Sequence, residues 1–299
     1  MKNRLLDATL LGVALVWGSS FVAAKAATAW ASPMIVLGVR YGVAALLLAG
    51  WVALRRGRPS KRELAIGSVL GVTQALILAL ETWGVSGTSA SNAGLLISMA
   101  ILLTPAFETS LFGRRLPPAF FAAAGVSVLG VALLLGGPSG GFVLGDGLVL
   151  VAAVVRGFHV ALVGRLGRGC RPIELTLVQL GVGTLICLPW VIAAPPVNVP
   201  GTFWFAVIYL AAGCSVFAFI AQSWAVLRSS ASRASLLLGT EPLWAVACGL
   251  LLGSEHIGWL GLVGAAFIVA GTYWGQAVEA RSHGGTLAKS AVLQEQLSA

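Results

Sequence analysis

The sequence predicts an all-α polytopic membrane protein with ten transmembrane helices, arranged as two inverted five-helix repeats around a central cavity. Three observations predict it. First, the 299 residues are 58% hydrophobic and only 10% charged, with a mean hydropathy of +0.93. Soluble domains are about 45–50% apolar and about 25% charged. Second, the apolar runs have the ~20-residue length that crosses a bilayer, and they recur ten times. Third, the Trp, Pro, Gly and Asp landmarks of the first half return in order in the second. The composition excludes a soluble enzyme, a disordered chain and a secreted disulfide scaffold. The cysteines Cys170, Cys187, Cys214 and Cys248 form no CxxC pair and read as small apolar packers.

Helices are expected near residues 5–25, 33–54, 63–84, 90–112, 118–136, 146–164, 172–193, 201–226, 232–252 and 257–276. Pro, Gly or basic residues break the runs at Ser32-Pro33, Arg58-Pro59, Pro117-Pro118, Gly136 to Pro138, Arg171-Pro172 and Pro195-Pro196. The tail after Arg281 is polar, with a short helix expected within Leu287 to Leu297. The first segment, with Lys2 and Arg4 before an apolar run, has the look of a signal peptide. Its recurrence inside the chain argues that it is retained.

That recurrence is the most informative feature. At a spacing of 139, Asp7 matches Asp146, Gly18 matches Gly157, Pro33 matches Pro172 and Trp51 matches Trp190. At 141, Trp83 matches Trp224, Ala90-Ser91 matches Ala231-Ser232 and Gly130 matches Gly271. Between them Pro105 matches Pro242 at 137, a drift of about one helical turn that keeps the face. The boundaries are therefore 1–138 for the first repeat, 139–278 for the second and 279–299 for a cytoplasmic tail. Five helices per repeat is odd, so the second repeat runs inverted, as in many transporters.

Charge sets the orientation. Of the 19 Lys and Arg residues, 16 fall at one side of this topology. The exceptions, Lys25, Arg40 and Arg156, lie within spans. Positive residues mark the cytoplasmic side, so both termini are expected there, in a bacterial-type inner membrane. The net charge of +9 then reflects topology and anionic headgroups rather than nucleic acid.

An ionisable group at mid-bilayer costs roughly 2.5–3.5 kcal/mol on insertion scales, so each one needs a reason. Arg156 and His159 share a side of helix 6, and Glu241 is central in helix 9. They read as the lining of a polar cavity, or else as a structural ion pair. Trp17 and Trp244 are deep and need an indole N–H partner, so they are candidate cavity walls. Ser20, Asn92, Met99 and Ser223 add to the polar set around helices 1, 4 and 8. The expected substrate-binding set is thus Trp17, Ser20, Asn92, Met99, Arg156, His159, Ser223, Glu241 and Trp244. Lys25, Glu81 and Glu108 are candidates for gating or proton coupling, and Pro105 and Pro242 for hinges, because each removes a backbone hydrogen bond inside a helix. Arg40, between Gly38 and Gly42, reads as a structural arginine. No P-loop, HExxH, GxSxG or cluster of metal ligands is present. No catalytic residue, metal or cofactor is expected, and the chain is read as a non-enzyme.

Several stretches resemble the drug/metabolite transporter superfamily, EamA type. They are LVWGSSFV from Leu15, Arg40-Tyr41 after Pro33, TSASNA from Thr88 running on to Pro105, ASLLLGTEP from Ala234, LGSE from Leu252 and GAAFIVAG from Gly264. The resemblance covers roughly residues 8–276. It implies ten helices, an inverted repeat, a central substrate cavity and export of amino acids or related small metabolites, aromatic or hydrophobic amino acids among them. Two positions depart from it. Arg156 stands where an aromatic residue is common, and Arg114-Arg115 replace a Gly-Glu-Arg-like pattern. A drug or anionic-metabolite exporter remains open, served by Arg40 and Arg156, as does a lipid flippase or intramembrane enzyme. A small-molecule substrate, the bilayer and a monomer or weak homodimer complete the expectation.

Overall fold

The computed structural model describes residues 2–112, 117–135, 142–194, 198–228 and 238–298, with the side chains of 2–7, 108–109, 111–112, 135, 226–228, 276, 279–280 and 282–298 left aside. Every regular element within them is helical. In chain order they are α1 (Lys2–Thr28), α2 (Pro33–Leu54), α3 (Lys61–Gly87), α4 (Ala90–Ile97), α5 (Ala100–Phe112), α6 (Pro118–Leu135), α7 (Leu144–Leu166), α8 (Pro172–Ile192), α9 (Gly201–Tyr209), a π-helical segment (Leu210–Phe217), α10 (Ala218–Arg228), α11 (Glu241–Leu251) and α12 (Trp259–Ser298).

Among the described residues, seven helices or helix runs are long and apolar enough to cross a membrane: 8–28, 33–54, 61–87, 90–107, 144–166, 172–192 and 201–225. Three shorter apolar helices, 118–134, 241–251 and 259–275, stand where the sequence places spans five, nine and ten. Local chemistry sets many of the ends. Pro33 and Pro172 open α2 and α8, where a missing N–H is harmless. A capping box between Ser60 and Glu63 opens α3.

Three expectations about helix continuity change. Span four is two helices with a turn at Ser98-Met99. Span eight carries the π-helical segment, a widening that i→i+3/i+4 sequence patterns do not reveal. The tail continues α12 to Ser298 rather than forming a separate helix.

The packing follows the duplication. α2 pairs with α8 and α6 with α12, each helix against its repeat counterpart. The α3–α7 contact is mirrored by α1 against α9, the π-helix and α10. Likewise α1–α11 is mirrored by α5–α7. Repeat-related glycines sit at these crossings. A Cβ on Gly18 would lie 2.9 Å from the Glu241 carbonyl, and one on Gly157 would lie 3.2 Å from the Thr104 nitrogen. Gly67 and Gly71 seat Val178 and Val182 of α8, so this small-residue pair serves packing within the bundle. Trp30, Trp51, Trp83, Trp190, Trp204 and Trp259 are exposed near helix ends, and Trp274 is exposed near the end of the apolar stretch 259–275, as interfacial tryptophans are.

Candidate functional site

Four side chains from four helices meet in the interior. Arg156 of α7 projects between two carboxylates. Its Nη2 lies 2.8 Å from Glu81 Oε1 of α3, and its Nη1 lies 3.2 Å from Glu241 Oε1 of α11. Nη1 also donates to Glu241 Oε2 at 3.3 Å. The guanidinium sits 5.2 Å from the centroid of the Trp17 ring of α1, within cation–π range. Glu81, Glu241 and Trp17 are buried. The close α3–α7 approach that brings Glu81 to Arg156 runs over glycines: Gly145 lies against the Gly84 carbonyl, with no room for a Cβ.

The neighbours hold these groups in place. Trp17 Nε1 donates to the Cys214 carbonyl at 3.0 Å, inside the π-helical segment. Its ring meets Phe219 edge-on at 6.1 Å. Arg40, buried on α2, donates from Nε to Ser215 Oγ at 2.8 Å, and Ser215 donates in turn to the Leu210 carbonyl. His159 Nδ1 and Thr73 Oγ1 share a hydrogen bond of 2.7 Å. The π-helix therefore supplies a carbonyl and a hydroxyl toward the centre, a frequent use of π-bulges.

Trp17 and Arg156 are repeat-related positions, 139 residues apart, so the pseudo-twofold relation places them against each other. The charges break that relation. At the repeat spacings, Gln222 and Thr104 correspond to Glu81 and Glu241. The site thus has one cation, two anions and an aromatic wall arranged with a direction.

The other sequence candidates lie as follows. Ser20 donates to the Trp17 carbonyl in its own helix. Ser223 is buried on α10, and Met99 is half-buried in the α4–α5 turn. Asn92 is half-buried in the first turn of α4, where its N–H reaches the Ser89 cap. Trp244 is 38% exposed, with its Cβ against Gly18. Pro105 lies inside α5. Pro242 lies in the first turn of α11, and the break itself falls at Gly239-Thr240. The Glu108 side chain lies outside the described residues. Among the described residues, no three His, Cys, Asp or Glu side chains converge as metal ligands.

A second polar cluster closes the end of the bundle opposite the basic loops, and the sequence reading missed its centre, Glu255. The Glu255 carboxylate accepts from the N–H groups of Ala90 (2.6 Å) and Ser91 (2.9 Å), at the start of α4. Lys25 Nζ lies 3.5 Å from Glu255 and donates to the Thr88 carbonyl at 2.8 Å. Thr88 Oγ1 donates to the buried Asp146 of α7. Burial alone would raise the Glu255 carboxyl. Hydrogen bonding from Ser91 and Ala90 and the Lys25 charge outweigh it, holding the group below the usual carboxylate range. The signal was available, because an acid in a short interhelical loop is a natural cap for a helix N-terminus.

A multi-pass helical bundle with charged groups meeting at its centre is an architecture that membrane transporters use, and the relatives are transporters by family and name. The chain matches the EamA-like transporter family over residues 5–136 and again over 143–274, and it belongs to that family. An uncharacterized transporter of Archaeoglobus fulgidus is 26% identical over 288 residues, covering 91% of this chain and 96% of that protein. A second one from the same organism is 25% identical over 250 residues, covering 82% and 77%. A crystal structure at 21% identity superposes with a TM-score of 0.69 over 92% of this chain and 98% of that one, a likeness of fold.

Proposed function

We propose that the protein exports small zwitterionic metabolites, amino acids foremost, by alternating access. The observation that carries this reading is the Arg156 guanidinium held between Glu81 and Glu241 beside Trp17. A zwitterion presents one carboxylate and one ammonium. Its carboxylate takes Arg156 and its ammonium takes a released glutamate, so the exchange adds no net charge to the buried site. Trp17 and Phe219 offer apolar surface for a hydrophobic or aromatic side chain. A purely anionic substrate suits the site less well, because two carboxylates already face Arg156.

Access alternates as the Lys25–Glu255–α4 contacts open at one end and the basic end closes. Pro105 and the Gly239-Thr240 break before Pro242 serve as flexing points. The concentration of basic loops at one end supports cytoplasmic termini in a bacterial-type inner membrane. The working unit is a monomer or weak homodimer.

The test is flux of labelled amino acids in proteoliposomes, with and without a pH gradient, for the wild type, Arg156→Ala and Glu241→Ala. Saturable flux that both substitutions abolish is expected. Full-rate flux without a gradient would make proton coupling unnecessary. No flux of any amino acid would overturn the substrate class and direct the search to anions.

A further inference from the structure

At the basic end, the turn between α2 and α3 combines an unusual backbone with unusual charge. α2 ends in a Schellman motif: Gly57 N–H donates to the Val52 carbonyl and Arg56 N–H to the Ala53 carbonyl, both at 2.9 Å. The residue in the left-handed conformation is Arg56, with φ of 52°. Glycine normally takes this place, since a side chain there is strained. Here the glycine stands one position later, and the strained position carries a long cation. Such an outlier asks for a role.

The turn is pinned from beneath while its cations point outward. Arg171 Nη2 donates to the Arg58 carbonyl at 2.6 Å. Ser60 N–H donates to Glu63 at 2.7 Å. Gly57 lies against Glu174. The local acids, Glu63 and Glu174, are buried and paired with Arg171. Among the described residues, no carboxylate pairs with Arg55, Arg56, Arg58 or Lys61, and all four are exposed. The Arg55 guanidinium stacks 4.3 Å from the Trp51 centroid. Directly along α2 lie Trp51, 48% exposed, and Leu54, 84% exposed.

We propose that this turn is a binding site for the headgroup phosphate of an anionic phospholipid, with Arg56 as its central contact. Arg55, Arg58 and Lys61 complete the cationic rim. Trp51 and Leu54 receive the acyl chains, which is why a lipid fits and a soluble phosphate does not. In the orientation proposed above, which this inference adopts, the lipid belongs to the cytoplasmic leaflet. Each basic residue near an anionic surface is worth about fivefold in affinity.

The experiment measures the melting temperature of the full chain in detergent, in detergent with added phosphatidylglycerol, with added phosphatidylcholine, and with inorganic phosphate. Phosphatidylglycerol is expected to raise the wild-type melting temperature beyond phosphatidylcholine, and inorganic phosphate to leave it unchanged. Arg56→Gly is the diagnostic variant. It relieves the left-handed strain, so it melts higher than wild type in detergent alone, yet it loses most of the phosphatidylglycerol increment. Arg55→Ala/Arg58→Ala loses the increment as well, whereas Arg281→Ala, an exposed cation on α12, keeps it. An unchanged increment in Arg56→Gly overturns the site. An equal loss in Arg281→Ala reduces it to diffuse charge attraction, and an equal gain from inorganic phosphate shows that the ligand is not a lipid. None of these readings depends on the transported substrate, so amino-acid flux can fail while the lipid effect stands.

Discussion

Replacing Arg156 by Met separates the two things that the central cluster does. The substitution keeps an unbranched, flexible side chain and removes the cation that bridges Glu81 and Glu241. Both carboxylates are buried, and removing one partner of a buried ion pair costs about 3–5 kcal/mol because the other charge is left unpaired. Here two are left, so the upper part of that range is expected. Against a total stability of about 5–15 kcal/mol, the variant should melt many degrees lower in detergent. The companion is the triple variant Arg156→Met/Glu81→Gln/Glu241→Gln, in which no charge remains. Replacing a whole buried ion cluster by neutral groups is often neutral or stabilising, so the triple variant should recover most of the lost melting temperature. It should still transport nothing. The assay is thermal unfolding with proteoliposome flux on the same preparations. If the single variant melts as high as the triple, Arg156 does not compensate these carboxylates. If the triple variant transports at the wild-type rate, the cluster is scaffolding and the substrate site lies elsewhere.

Other outcomes follow from the same geometry. Glu255→Gln should weaken the cap on α4 by about 1 kcal/mol, seen as a lower melting temperature. Because the Glu255 carboxyl is held below its ordinary value, the wild-type closure contributes fully above about pH 4.3 and is lost as pH falls through the depressed value. Glu255→Gln should flatten that acid limb of the pH–stability curve, and an unchanged limb would show that another group causes it. Gly18→Ala places a Cβ 2.6 Å from that of Trp244 and 2.9 Å from the Glu241 carbonyl. A cost of about 1–3 kcal/mol is expected, whereas Gly12→Ala, with nothing within 4 Å, should be stabilising by up to about 1 kcal/mol in the same melting assay. Thr73→Val removes the hydroxyl that His159 Nδ1 meets and should cost about 1–3 kcal/mol; a melting temperature equal to wild type would mean that water replaces the hydroxyl without loss.

The periodic and the covalent were readable in advance. Ten apolar runs, their proline and glycine breaks and the doubled pattern led to the right bundle, because span length and residue type report directly on the bilayer. The repeat matches Gly18/Gly157 and Gly130/Gly271 proved to be crossing points, since small residues recur where two backbones must touch. What escaped were features set by helix rotation and by partners far along the chain. Glu81 illustrates this. α3 runs on to Gly87, so Glu81 lies within the span, and its partner Arg156 comes from the other repeat. The π-helix and the Glu255 cap have no periodic signature at all. Each is met by a group from another span: Trp17 Nε1 donates to the Cys214 carbonyl, and the Ala90 and Ser91 amides donate to Glu255.

The central cluster also imposes an order of assembly during synthesis. Its charges leave the ribosome as Glu81, then Arg156, then Glu241, which follows Arg156 by 85 residues. At about 5–20 residues per second that last interval is about 4–17 s. Glu81 enters the bilayer with its cation not yet made. Arg156 arrives next and ties the two halves together across α3 and α7, and only α11 completes the site. A chain stalled before α11 holds Arg156 with one of its two carboxylates, and a first half expressed alone holds Glu81 without Arg156. The ion cluster therefore joins the two halves: Glu81 comes from the first, Arg156 and Glu241 from the second, and the cluster is complete only when both are in place.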